Sequence, residues 1–136
     1  MLDEVARTIE TMPEAERWGS LCFFGEWFGR PYDNQHAITS VRIENDSVVL
    51  SFDEGEKLAV WGPAGVSVAA DGLRIAQARR VRWEWFYYGR PQTPENLYYL
   101  DYRVEGDGSI TVADTADWYE PRHQPDPSAD AIALIR

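Results

Sequence analysis

A chain of 136 residues with 13 Lys and Arg against 23 Asp and Glu carries a net charge of −10, which repels nucleic-acid backbones and anionic membrane surfaces and argues against partners of either kind. Its 44% hydrophobic content, with six Trp and seven Tyr, lies far from the composition of disordered chains. The length suits a single domain, 1–136, that buries a core without disulfide or metal staples.

The N-terminal stretch has neither a basic leader nor an apolar run, and no later stretch is long enough to span a bilayer, so the expected location is cytoplasmic. Leu2, Val5, Ala6, Ile9 and Met12 recur at helical spacing with Asp3 and Glu4 early, which predicts a helix over 2–12 ending at Pro13. Thr11 and Glu14 fit a capping box for a further turn reaching Glu16 or Arg17.

From Leu21 the texture changes to short runs rich in Val, Ile, Trp, Phe and Tyr. These predict a β domain over 20–118, with strands near 20–28, 37–44, 47–53, 57–61, 65–70, 73–77, 79–88, 97–105 and 109–114. Asn45-Asp46, Asp71-Gly72 and Asp107-Gly108 are residue pairs that tolerate the positive φ of tight hairpins. The composition of 73–82 also suits a helix, which would make the domain α+β. Cys22, the one cysteine, excludes an internal disulfide, and its apolar neighbours point to a buried, inert thiol.

The Pro-rich stretch 119–130 reads as an irregular tail, and the apolar run 131–136 then needs a place to bury itself. It is expected to return to the domain as an edge strand or helical turn, the alternative being docking on a second copy to form a homodimer.

Two segments echo one another: Glu26-Trp27-Phe28-Gly29-Arg30-Pro31 and Glu84-Trp85-Phe86 followed, after Tyr87 and Tyr88, by Gly89-Arg90-Pro91. Extending the alignment places Ala37, Thr39, Val41 and Ile43 on Tyr98, Leu100, Tyr102 and Val104, in keeping with strand alternation. The pattern suggests a repeated strand-loop-strand unit and one curved or closed antiparallel sheet of about eight strands with a pseudo-two-fold. Gly-Arg-Pro is a corner by its backbone chemistry. It also offers Arg30 and Arg90, beside Trp27, Trp85, Tyr32 and Tyr88, as a clamp for an anionic or aromatic group. Asp33 and His36 are the nearest approach to an acid-base pair.

Catalytic, metal-binding and cofactor signatures do not stand out. The acids Asp53, Glu54 and Glu56 read as a solvated turn. As a strand, 79–88 places Trp83 and Trp85 on one face and Arg80, Arg82 and Glu84 on the other, the latter suited to cross-strand ion pairs or to a recognition surface. The expected function is a non-catalytic binding protein that recognises or inhibits a basic protein partner. The alternative is a β-barrel-like pocket for a small anionic or aromatic ligand, built from Arg30, Arg90, Tyr32, Tyr88, Asp33 and His36.

Overall fold

The computed structural model describes residues 2–13, 18–28, 36–53, 55–62, 65–86, 89–115 and 125–135. Among these residues one α-helix, α1 (Leu2–Thr11), precedes eleven strands: β1 (Trp18–Phe23), β2 (Glu26–Phe28), β3 (His36–Glu44), β4 (Ser47–Phe52), β5 (Lys57–Trp61), β6 (Gly65–Ala69), β7 (Gly72–Ala76), β8 (Arg80–Phe86), β9 (Leu97–Val104), β10 (Ile110–Asp114) and β11 (Ile132–Ile135). The domain is therefore mainly β, and 73–82 is strand on both sides of a break at 77–79.

The strands form two antiparallel sheets, where the sequence suggested one curved or closed sheet of about eight strands. A six-stranded sheet runs β3-β4-β5-β8-β9-β10, and a four-stranded sheet runs β6-β7-β11-β1. They join where the first residues of β1 pair with β3, Gly19 opposite His36. Short β2 adds to β1 alone. Among the described residues the outer strands β10 and β6 do not pair, so the sheet path stays open.

Local chemistry explains the joints. Asn45, at φ 50°, makes the two-residue turn between β3 and β4, a conformation that Asn tolerates. Between β9 and β10, the Gly108 amide donates to the Glu105 carbonyl at 2.9 Å while Gly108 takes φ 86°, a type I turn closed by a left-handed glycine. The β6–β7 turn falls on Ala70-Asp71, one residue before the expected pair, because Ala69 and Gly72 still pair across the ladder. Phe24 and Gly25, at φ 47° and 81°, reverse the chain between β1 and β2. The expected single strand 20–28 is thus a hairpin.

The two sheets meet through their apolar faces. Trp83, fully buried at 0% exposure, packs edge-on against Phe52 at 5.1 Å and lies 6.5 Å from Phe23 of the other sheet. Tyr102 lies 5.6 Å from Phe23 and 6.1 Å from Phe24. Helix α1 buries Val5 and Ile9 in this core, joined by Met12 just past its end, and packs against β3, β4 and β6. Glu56, expected in a solvated turn, is buried, its carbonyl accepting from the Phe52 amide at 2.9 Å.

The terminal apolar run is an interior strand. β11 pairs with β1 on one side, Leu21 opposite Leu134, and with β7 on the other, Leu73 opposite Leu134. The expectation of an edge strand or helical turn is corrected accordingly, and the segment is seated within its own chain. Possession of two ladders and three buried side chains, Ile132, Ala133 and Leu134, explains why it is not left at the rim.

The repeat is not expressed in the pairing. β8 and β9 form a hairpin, Trp85 opposite Tyr98, whereas β2 pairs with β1 and not with β3. Glu26 is buried at 1% and accepts from the Tyr102 hydroxyl at 3.2 Å, while its counterpart Glu84 lies on the opposite, ion-paired face of β8. The bulge between Ile38 and Ser40 inserts a residue into β3 and shifts its alternation relative to β9.

Truncating Trp83 to Ala removes the side chain that touches both sheets, and a loss of about 3–5 kcal/mol in chemical denaturation is expected; a loss below 1 kcal/mol sinks this account of the core. Deleting residues 131–136 should separate β1 from β7 and abolish the cooperative transition in calorimetry.

Candidate functional site

Among the described residues, the outer face of the six-stranded sheet gathers charged and aromatic side chains from neighbouring strands. Cross-strand register sets it out in rows. One row runs Glu44, Ser47, Trp61, Arg80, Arg103, Thr111; the next runs Arg42, Val49, Ala59, Arg82, Asp101, Ala113; a third runs Ser51, Lys57, Glu84, Tyr99. The alternation of β8, with Val81, Trp83 and Trp85 buried between partly exposed neighbours, is what turns Arg80, Arg82 and Glu84 to this side.

Asp101 is the hub. Its side chain is 3% exposed, although it stands on the outer face, because arginines close over it. The Arg80 guanidinium donates from Nε to Oδ1 at 2.9 Å and from Nη2 to Oδ2 at 2.5 Å. Arg82 donates from Nη1 to Oδ2 at 3.2 Å and from Nε to Glu84 at 2.9 Å. Arg103 approaches Oδ1 at 3.5 Å. Burial pushes the Asp101 carboxyl up, but the Arg80 hydrogen bonds, with Arg82 and Arg103 behind them, hold it below the ordinary carboxylate range. Arg80 and Arg103 stand directly opposite each other, a like-charged pair that Asp101 reconciles.

Two guanidinium planes are also stacked. Arg80 lies 4.2 Å over the Trp61 ring and Arg82 lies 4.0 Å over Tyr99. These contacts fix side chains that would otherwise lose entropy on binding. The three rows hold five basic residues, Arg42, Lys57, Arg80, Arg82 and Arg103, against three acids, Glu44, Glu84 and Asp101. With Glu105 beside Thr111 as a fourth acid on this side, the face keeps a small cationic excess in a chain of net charge −10.

The residues put forward for a Gly-Arg-Pro clamp fare differently. Arg30, Tyr32, Asp33 and Tyr88 lie outside the described residues. Arg90 is exposed in the β8–β9 connection, and His36 begins β3. The antiparallel order puts these two positions at one end of the six-stranded sheet, with the β4–β5 turn between them. There Gln92 covers Gly55 so closely that a Cβ would come within 2.8 Å of its Nε2. Cys22 is buried, and burial pushes its thiol up, away from a reactive thiolate.

Sequence reasoning found Arg80, Arg82 and Glu84 but missed Asp101, Trp61, Tyr99 and Arg103 as their partners. The available signal was the register of the β8–β9 hairpin, which brings Arg82 opposite Asp101. Comparison with family models, with curated proteins and with solved structures gives no match.

Because the Asp101 carboxyl sits below its ordinary value in the folded chain, its contribution to stability is present above the unfolded carboxylate value of about 3.9 and is lost as pH falls through the lower folded value. Asp101→Asn should therefore cost roughly 2–3 kcal/mol at neutral pH. The gap to the unmodified chain should close below about pH 4. Parallel stability-pH curves for the two proteins would remove Asp101 from this role.

Proposed function

We propose that the chain is a non-catalytic protein-recognition module that engages its partner through the outer face of β5, β8 and β9. The observation that carries this reading is the ordered arginine-aromatic surface around Asp101, in which Arg80 and Arg82 are clamped and stacked before any partner arrives. Arginine, tryptophan and tyrosine are the residue types that concentrate binding energy at interfaces, and preordering lowers the entropy lost on association.

The filled interior supports the same reading over a barrel pocket. Trp83, Tyr102, Phe23 and Leu50 occupy the space between the sheets, leaving the outer face as the place for contacts. Net charge alone favours a basic partner, but the face itself is cationic. The partner that fits both facts is neutral or basic overall and sets carboxylates or carbonyls against Arg103, Arg82 and Lys57, while the acidic remainder of the chain turns strongly acidic proteins away.

Quantitative cross-linking of the purified chain in a native lysate tests this. A single protein captured by the unmodified chain should be lost at least tenfold from both Arg103→Glu and Trp61→Ala, variants at exposed or half-buried positions whose melting temperatures are expected to stay within a few degrees of the parent. Capture that persists in both variants would sink the assignment of this face.

A further inference from the structure

The smaller sheet ends in an unguarded edge. Among the described residues β6 pairs with β7 alone, in unbroken register from Gly65 opposite Ala76 to Ala69 opposite Gly72. Half of the N–H and C=O groups of such a strand point away from its one partner and can pair with another strand. Proteins commonly guard an edge with charge, proline or a bulge. Residues 65–70 carry neither charge nor proline, and the β6–β7 register has no shift.

Val66 and Val68 stand opposite Ile75 and Leu73, both buried, so the two valines face the inner side of their sheet. Val66 packs against the core. Val68 is 53% exposed, one of two large hydrophobic side chains left so among the described residues. Ser67 and Ala69 beside it are exposed as well. An inward-facing valine in water leaves the apolar face one strand short of cover.

The order of residues in β6 selects what fits there. Gly65-Val66-Ser67-Val68-Ala69 is nearly the same read in either direction about Ser67. Antiparallel pairing of two copies across a two-fold at Ser67 sets Ser67 opposite Ser67, Val66 opposite Val68 and Gly65 opposite Ala69. Each exposed Val68 then gains Val66 of the second copy as a neighbour on the same face. Charge makes the same selection. Two chains of net charge −10 repel, and they meet at least cost where the facing strips are uncharged. Behind β6, Arg74 is neutralised by Asp71, bonded through both carboxylate oxygens at 2.9 and 2.8 Å, and by Asp130 at 3.4 Å. The other open edge, β10, ends in Asp114 and holds Glu105 beside Thr111, so self-pairing there brings like charges together.

We infer that β6 is a self-association edge, through which two copies of the chain join antiparallel about Ser67 and make their two smaller sheets continuous. Such a pairing is isologous and consumes the edge on both copies, so association stops at two. The strip is five residues long and narrower than a standard interface. The dimer is accordingly weak, with a dissociation constant on the order of 100 µM. The arginine-aromatic face belongs to the other sheet, so this inference stands apart from the partner proposed for it.

Sedimentation equilibrium of the full chain between about 10 µM and about 1 mM should show the average mass rising from one chain toward two. Val68→Lys places a charge on the free edge and should keep the chain single throughout that range. Mild oxidation then reads the register. Ser67→Cys brings two thiols face to face at the two-fold, with Cα atoms roughly 4.5–5.5 Å apart, and should give a disulfide-linked dimer. Ala69→Cys lies about 14 Å from its counterpart and should not. Cys22 is buried and stays out of the reaction. A single-chain mass at the highest concentration, growth past two chains, association undiminished in Val68→Lys, or Ser67→Cys linking no faster than Ala69→Cys would each overturn the inference. The mass of the unmodified chain and the Ser67→Cys result decide the matter even if Val68→Lys folds poorly.

Discussion

Strand β8 imposes the constraint on which the rest depends, because it is interior to the larger sheet and its two faces have opposite tasks. Trp83 on one face reaches Phe52 in its own sheet and Phe23 in the other. Arg80, Arg82 and Glu84 on the other build the charged surface. With a period of two, neither set can move without the other, so a slip of one residue would bury three charges and expose both tryptophans. The energetic penalty for that slip is what locks the arginines in register with Asp101. A surface assembled on a strand pinned by its own core is stiffer than one assembled on loops.

Asp101 shows how far an outer-face position can depart from the surface it belongs to. A lone carboxylate at 3% exposure would be expelled or neutralised by desolvation. Here the chelating geometry of Arg80 and the second contact from Arg82 outweigh that cost, which is why its carboxyl remains more acidic than usual. The result is a cationic cluster without mutual repulsion strong enough to splay it. Glu26 is the contrasting case within the same protein. It is buried at 1% and meets the Tyr102 hydroxyl at 3.2 Å, while its Oε1 has no hydrogen-bond partner among the described residues. Polar groups of this kind cost stability where they stand and restrict which hairpin the core accepts.

Much of the fold was legible because the hairpin chemistry is local. Asn45 and Gly108 mark their turns by residue type, and the Val, Ile and aromatic runs between them give the strands within a residue or two. The Phe24-Gly25 turn was not legible, since phenylalanine at φ 47° is held there by the surrounding chain and not by its own preference. Its amide donates to the Asp130 carbonyl at 3.1 Å and its carbonyl accepts from Asp126 at 2.7 Å, contacts made with a segment about a hundred residues later. The interior place of β11 was hidden for the same reason: four apolar residues signal burial but not between which strands.

The echo teaches a narrower lesson. Strand parity agreed across Glu26–Asp46 and Glu84–Asp107, and agreement of that kind tests sequence pattern, not register. One bulge at Ile38 and Ser40 is enough to leave Ile38 buried and Thr39 exposed, while in β9 Leu100 and Tyr102 face the core on either side of Asp101. Similar segments can thus enter a fold with opposite faces inward, Glu26 to the core and Glu84 to the ion-paired surface. What distinguishes them is the neighbouring strand: β1 offers Glu26 a place beside Tyr102, and β9 offers Glu84 a place beside Arg82 and Tyr99. The place of each copy in the fold therefore rests less on the repeated motif than on the neighbours it meets, and those neighbours are set by sheet order.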